Sequence, residues 1–532
     1  METLHKIITQ ATASVTQSLQ KGDTDWIRIE GEVMGSVIAQ ITNANAQAAA
    51  NAKNAGVAPP PKLQPPKYLT FAQIADILNA VMTIRVITDG DNDMELLAVY
   101  NGKTYDPDTT ILFKAATRLN SNLGRRDLEE LVARLLLICE KAEVNKDPNL
   151  IAVNNGVFDF RKKVLMKYNE DLVFLSKSRV DFNDHITLKT FPDGWDVESW
   201  IKEIAVDGDV AELLWETIGS VLRPYVKWDK SVWLFSTAGS NGKGTFCQLL
   251  RNLLGPKACC SIPIEDFNKD YALGPIIGKQ AIITDENNVG VYIDKVALMK
   301  AVVTGDVITV TRKYMAPVNY RFHGMMIQCL NGYPKVKDKS DSFYRRQIFI
   351  PFEKSFKGSA DNKAIKDTYL YDKDVLEYVL YRVLMMDYST LSEPDACKAA
   401  LTDYKEDNDP VRQFWLEFED ELAWDLVPYK FLFDLYKVWY EQNYPKSQTL
   451  SRFSFVSSLR TIIQRESIMW ACDDDPKKKF RIGSKMSKPE PIIAEYKLKD
   501  WMSKSYNGRD AKKLSTLTAS ELAASYAGIY RK

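Results

Sequence analysis

The sequence predicts an α/β fold, and three stretches in the middle of the chain carry that prediction. An apolar run, Val232-Trp233-Leu234-Phe235, reads as a short buried strand. A small-residue turn, Thr237 to Gly242, leads from it into a helical pattern that Lys243 opens and Gly255-Pro256 stops. A second apolar run, Ala281 to Thr284, ends in the adjacent carboxylates Asp285 and Glu286, and a third, Met325 to Leu330, ends in Asn331-Gly332.

Strand, glycine turn, lysine and helix in succession form a layout that holds nucleotide phosphates. Glycines let backbone N–H groups turn inward, the helix N-terminus adds partial positive charge, and the lysine reaches the β/γ-phosphates. The candidate binding residues are Gly239, Ser240, Asn241, Gly242, Lys243, Gly244 and Thr245. A strict G-x-x-x-x-G-K-[ST] pattern puts glycine at 237 and a hydroxyl at 244; this chain has Thr237 and Gly244, with the hydroxyl displaced to Thr245. Phosphoryl chemistry uses one carboxylate to hold hydrated Mg²⁺ and another to orient the attacking water, roles open to Asp285 and Glu286. Asn331 is placed to bond a γ-phosphate or the water, although Asn-Gly is also a plain turn signal. Arg345 and Arg346 precede a further strand-like run, Gln347 to Pro351, as a solvated edge or as an arginine finger.

At 532 residues the chain implies several domains, about three or four at ~150 residues each. A hydrophobic share of 45% and a charged share of 26% are those of an ordinary globular protein with real cores. The N-terminus lacks the charged-then-apolar run of a signal peptide, and apolar patches such as Leu135 to Cys139 are too short to span a bilayer. Seven cysteines without a C-x-x-C pair and only three histidines argue against a zinc site and a disulfide framework. The expected compartment is the cytoplasm, with no membrane partner.

Taken in order, residues 1–66 are expected to be an N-terminal segment ending in an Ala/Asn- then Pro-rich linker over 42–66. A small α+β domain over 67–200 follows. It carries a helix at Phe71 to Val81, a hairpin turning at Asn101-Gly102, an amphipathic helix at Leu128 to Ala142 and a second hairpin-like run at Ile151 to Leu165. Asp89, Asp91 and Asp93 read as a solvated loop rather than a metal or primase site. Val307 to Gln328 reads as a hairpin with Arg312, Lys313 and Tyr314 at its tip, where cations for phosphate and an aromatic face for a base suit single-stranded DNA. Net charge is zero overall, but between Lys477 and Lys513 twelve Lys/Arg face four acids. Helical runs at Tyr429 to Asn443 and Leu450 to Gln464, strand-like runs at Ile468 to Cys472 and Lys479 to Ile482, and the basic Lys477, Lys478 and Lys479 suit a winged helix on duplex DNA.

With TAGSNGKGTF (237–246), GKQAIITDEN (278–287), LMKAVVTGDVITVTRKY (298–314), MIQCLNGYP (326–334) and SFYRRQIFIPF (342–352) in this order, the chain resembles the superfamily 3 helicases, a ring-forming AAA+ branch. It is similar to the poxvirus and phage/plasmid primase-helicase type. The resemblance implies an AAA+ P-loop ATPase core over 201–355, a helical connector over 356–408 and a winged-helix-like basic domain over 409–532. It implies ATP and Mg²⁺ as cofactors, Lys243 on the phosphates, and Asp285 with Thr245 on the metal. It further implies Glu286 on the water, Asn331 as sensor, and Arg345 or Arg346 acting on the neighbouring subunit's nucleotide. The expected function is an ATP-driven homohexameric DNA helicase replicating a phage, plasmid or mobile element in a bacterial host. It would translocate on single-stranded and forked DNA by a hairpin in the channel. The alternatives are an origin-binding initiator on duplex DNA, a helicase-primase working with a polymerase, and, from Lys-Gly-Thr, a small-nucleotide kinase.

Overall fold

The computed structural model describes residues 2–532 apart from 91, 289–291, 294–295, 313–314, 337, 339, 357–361, 444–448, 505 and 507–510. The chain divides into two compact units, Met1–Ala400 and Leu401–Lys532.

The first unit begins with two helices, Glu2–Thr16 and Trp26–Ala55. The Ala/Asn-rich stretch expected to begin a tether is instead the second half of the longer helix. Asp25 caps its start, and Gly56 closes it in the left-handed region at φ 66°. Its Ile29, Val33, Val37 and Ile41 recur every four residues and are buried on one stripe. Beyond it, Leu63 exchanges two hydrogen bonds with the Asn45 side chain, so the Pro-rich stretch is tied back at that point.

Helix Phe71–Val81, with a Thr70/Gln73 capping box, packs with helices Thr110–Leu119 and Arg125–Ile138 on a four-stranded sheet. The strand order is Tyr105–Asp106, Asn92–Tyr100, Ile84–Asp89, Lys141–Glu143, and the last pair is parallel. The hairpin at Asn101-Gly102 is present, with Tyr100 opposite Tyr105. Residues Leu150–Val153, Gly156–Asp159 and Val164–Met166 form a separate antiparallel meander. Asp89 corrects one expectation: it is buried at 4% exposure and ion-paired with Lys146 at 2.8 Å, not solvated. Asp91 and the side chain of Asp93 lie outside the described residues.

The centre of this unit is a five-stranded, all-parallel sheet ordered Gln347–Pro351, Ser231–Phe235, Met325–Leu330, Ala281–Thr284, Cys259–Cys260. Parallel sheets are covered on both faces, so their strands read as unbroken apolar runs. Ala281–Thr284, Met325–Leu330 and Gln347–Pro351 are buried at every position. Helix Lys243–Leu254 packs Phe246, Leu249, Leu250 and Leu253 into the same core.

The Leu401–Lys532 unit surrounds a core of Phe414, Trp415, Trp424, Leu435, Tyr436 and Trp470. Helices Pro410–Phe418, Tyr429–Asn443 and Arg452–Glu466 pack beside a small antiparallel sheet in which Gly528–Arg531 lies between Leu426–Pro428 and Trp470–Ala471. The strand-like runs at Ile468 to Cys472 and Lys479 to Ile482 do not pair with each other. Trp470–Ala471 pairs with Gly528–Arg531, and Phe480–Arg481 pairs with Ser525–Tyr526, because the end of the chain returns between them.

Candidate active site

Ser231–Phe235 delivers the chain to the carboxyl edge of the parallel sheet, where the loop turns into helix Lys243–Leu254. Ser240 has φ 57° and Gly242 φ 90°, so two left-handed residues flank Asn241 and curl the loop. A Cβ at 242 would lie 3.1 Å from Ile204 Cγ2, which leaves glycine as the residue that fits. Asn241 is buried at 5% exposure and braces the curl: its Nδ2 donates to the Ala238 carbonyl at 2.5 Å and its Oδ1 accepts from Lys243 Nζ at 3.1 Å. Burial lowers the Lys243 pKa. Gly239 and Ser240 are exposed, whereas Gly244 and Thr245 are half-buried in the first helical turn. Phe356 N–H donates to the Ser240 carbonyl at 2.7 Å, bringing the segment after the last strand back onto the loop.

The sheet register places three sequence candidates along one edge. Leu330 pairs with Phe235 and Gln328 with Thr284, so Asn331 and the Asp285–Glu286 pair follow strands that end beside the phosphate loop. Asn331 and Glu286 are exposed. Asp285 is held by a residue that the sequence reading missed. Arg251 Nη1 and Nη2 donate to its two oxygens at 3.2 and 2.9 Å, and Nη2 also donates to the Ile283 carbonyl at 3.1 Å. Burial alone would raise the Asp285 carboxyl, but Arg251 outweighs it and holds the group below the usual carboxylate value. Arg251 lies on the helix that Lys243 opens and Asp285 just after Ala281–Thr284, two places from Ser231–Phe235 in the sheet, so only the fold brings them together.

A cavity of about 430 Å³ opens beside the loop, lined by Ser240, Gly242 and Thr245 on one side and by Trp195, Phe356 and Asn362 on the other. The buried Trp195 Nε1 has no hydrogen-bond partner among the described residues. Asn362 Nδ2 and the Tyr369 hydroxyl each donate to Asp193 at 3.0 Å, fixing the rim. The sequence reading named none of these wall residues, which carry no local motif.

Arg345 and Arg346 are not at this edge. They precede Gln347–Pro351, whose five residues run parallel to Ser231–Phe235, so they sit at the opposite end of the sheet, ~17 Å away along the strand. Arg345 is exposed. The Arg346 carbonyl accepts from Ser231 N–H at 2.7 Å, and its guanidinium donates to the Ser342 carbonyl.

The hairpin exists as Val307–Arg312 against Met315–Arg321, with Arg312 opposite Met315. Lys313 and Tyr314 lie outside the described residues. Arg312 stands beside the two-residue turn, as expected of a tip residue, and it is half-buried, with its side chain lining a cleft beside the hairpin. In the C-terminal unit Lys477, Lys478 and Lys479 are exposed, and Lys478 pairs with Asp473 at 2.6 Å. Arg460 instead donates to the Asp473 and Asp474 carbonyls at 2.8 and 2.7 Å, anchoring the loop that carries those lysines.

Three family descriptions match successive segments: D5 N terminal like over residues 20–206, a family of unknown function (DUF5906) over 234–346, and poxvirus D5 protein-like over 406–502. The first and last of these segments are similar to proteins of the poxvirus D5 kind. Among curated relatives it is 24% identical over 295 residues to a putative helicase of Acanthamoeba polyphaga mimivirus, a match covering 50% of this chain and 28% of that protein. Among solved structures, an apo form of the NrS-1 C terminal region aligns at 13% identity and TM-score 0.42, covering 78% of this chain and 98% of that one. A ligand-bound JCV helicase aligns at 15% identity and TM-score 0.26, covering 40% and 58%.

Proposed function

We propose that this chain is an ATP-dependent DNA helicase of the superfamily 3, AAA+ kind, working as a ring in the replication of a phage, plasmid or related element. The observation that carries the reading is the edge of the parallel sheet. There the phosphate loop, Asn331 and the Asp285–Glu286 pair follow adjacent strands. Ligands in open α/β sheets bind outside the carboxyl ends of the strands.

Lys243, released from Asn241, would neutralise β/γ-phosphate charge from the helix N-terminus. The cavity walled by Trp195 and Phe356 would take the nucleoside of ATP. Thr245 and Asp285 would hold Mg²⁺, since this ion uses one or two protein oxygens with substrate phosphates and water, and the Arg251 guanidinium lowers the Asp285 pKa. Bound there, the ion would supply charge stabilisation to the transferring phosphoryl group. Glu286, exposed and one residue on, would orient the attacking water, and Asn331 would report the γ-phosphate.

Arg345 and Arg346, at the far end of their own sheet, suit a neighbour's nucleotide better than their own, which favours a ring with a finger in trans. The hairpin Val307–Arg312/Met315–Arg321 would face the translocated strand. The Leu401–Lys532 unit, with three helices, a small sheet and exposed lysines, would serve as a winged-helix-like duplex contact. That last feature also favours an origin-binding initiator, and strand displacement separates the two. Unwinding of a forked duplex with ATP supports the helicase; hydrolysis with origin melting but no fork unwinding supports the initiator.

A further inference from the structure

A cleft of about 480 Å³ lies within the first unit where the hairpin, the small N-terminal sheet and the loops after helix Lys243–Leu254 meet. Five cations line it: Lys177, Arg179, Lys257, Lys279 and Arg312. Two carboxylates, Asp106 and Asp108, are also present, and Asp106 is already paired with Lys257 at 2.5 Å. Lys279 spends its ammonium on the Lys257 carbonyl at 2.7 Å, and Lys177 donates to Asn154 Oδ1 at 2.8 Å, which fixes both side chains in the wall. Arg179 stands exposed over Gly255. Arg312 is half-buried, and its buried Nε has no hydrogen-bond partner among the described residues. Burial lowers the Arg312 pKa, and burial with the Lys103 charge does the same to Lys177. Five cations against two carboxylates, one of them already paired, make the wall complementary to an anion.

We infer that this cleft binds the sugar-phosphate backbone of a single-stranded nucleic acid, extending the hairpin's contact through Arg312, which belongs to both. Among the described residues none of those lining the cleft is aromatic, so the wall they form binds phosphate rather than stacking a base. Recognition by phosphate alone is independent of sequence and steep in salt. Pro107, Pro256 and Pro275 stiffen the rim. Arg312 belongs to the hairpin strand and lines the cleft, so a strand engaged by the hairpin would meet the cleft's other cations. The inference rests on the proposed action on DNA.

The test is the salt dependence of labelled oligo-dT binding to the full chain, measured by anisotropy between low and moderate salt. Each phosphate contact contributes ~0.7 to the slope of log K against log salt for a single strand. Arg179→Gln, which is not on the hairpin, lowers the slope by ~0.7, and Arg179→Gln with Arg312→Gln lowers it by ~1.4, with about tenfold weaker binding at fixed salt. The corresponding lysine variants, which keep the charge, retain most of the slope. An unchanged slope in the folded glutamine variants, judged by an unaltered thermal midpoint, overturns the inference. So does an unchanged slope accompanied by lost binding of inorganic tripolyphosphate, which assigns the cleft to a free nucleotide. Wild-type protein that binds no oligo-dT even at low salt removes the proposed function itself, and the cleft's role with it.

Discussion

At the scale of single residues, Asn241 and Arg251 do the least visible work. Asn241 holds both the loop carbonyl and the lysine that the phosphates would claim, so the loop keeps its curl without a ligand. Arg251 clamps Asp285 with two hydrogen bonds and pins the strand end through the Ile283 carbonyl. Its role is positioning. Groups that orient a metal-holding carboxylate typically cost 10–100-fold when removed. Arg251→Ala is therefore expected to lower kcat for ATP about tenfold while changing KM little, with Arg251→Lys recovering part of the loss. Steady-state hydrolysis at saturating Mg²⁺ checks this; a variant altered only in KM would place Arg251 in substrate binding.

At the scale of elements, what was legible followed from local chemistry. The strand, glycine turn and helix around Lys243 were legible because each carries its own local signal, and the hairpin at Asn101-Gly102 because Asn-Gly between strand-like runs is a strong turn signal. Helix Trp26–Ala55 was legible too but outweighed by its composition. The Ala/Asn run reads as low complexity, although alanine is the strongest helix former and Ile29, Val33, Val37 and Ile41 keep helical spacing. The Arg251–Asp285 clamp, the Trp195 wall and the return of Gly528–Arg531 between two other strands were not legible. Each joins residues far apart in the chain, and no local pattern encodes that meeting.

Glu490 belongs to this scale. It is fully buried, and its carboxylate accepts from the Ala423 and Trp424 N–H groups at 2.9 and 3.0 Å, joining the loop after Pro410–Phe418 to the Pro489–Pro491 turn. Burial pushes its pKa up to about 7 from 4.5, against the pull of those N–H groups. Below the unfolded value the carboxyl is protonated in both states and its full contribution to stability is present. Between about 4.5 and 7 only the unfolded chain ionises, so stability falls as pH rises, and the loss is complete above the folded value. The loss is on the order of 3 kcal/mol. Glu490→Gln should flatten this dependence, read as the thermal midpoint of the Leu401–Lys532 transition from pH 5 to 8. An equal slope in wild type and variant would contradict it.

At the scale of the whole molecule, the sheet's polarity decides how subunits would cooperate. One end carries the phosphate loop and carboxylates, and the other carries Arg345 and Arg346. If one of them is the finger proposed above, it lies at the wrong end for its own nucleotide and would need a neighbour. Arg346→Ala is accordingly expected to keep nucleotide binding, lose hydrolysis by about 10³-fold, and poison mixed assemblies with wild type more than in proportion to its share. Activity that falls linearly with the wild-type fraction would mean that sites act alone.

The central claim is that a nucleoside triphosphate is hydrolysed at the loop around Lys243 and that a DNA strand governs the rate. It is tested most directly by phosphate release from ATP with and without single-stranded DNA, comparing wild type with Lys243→Ala. The account predicts turnover that rises on adding DNA in the wild type and is abolished in the variant under both conditions. Equal turnover in the two proteins, or a wild-type rate indifferent to DNA, would contradict it.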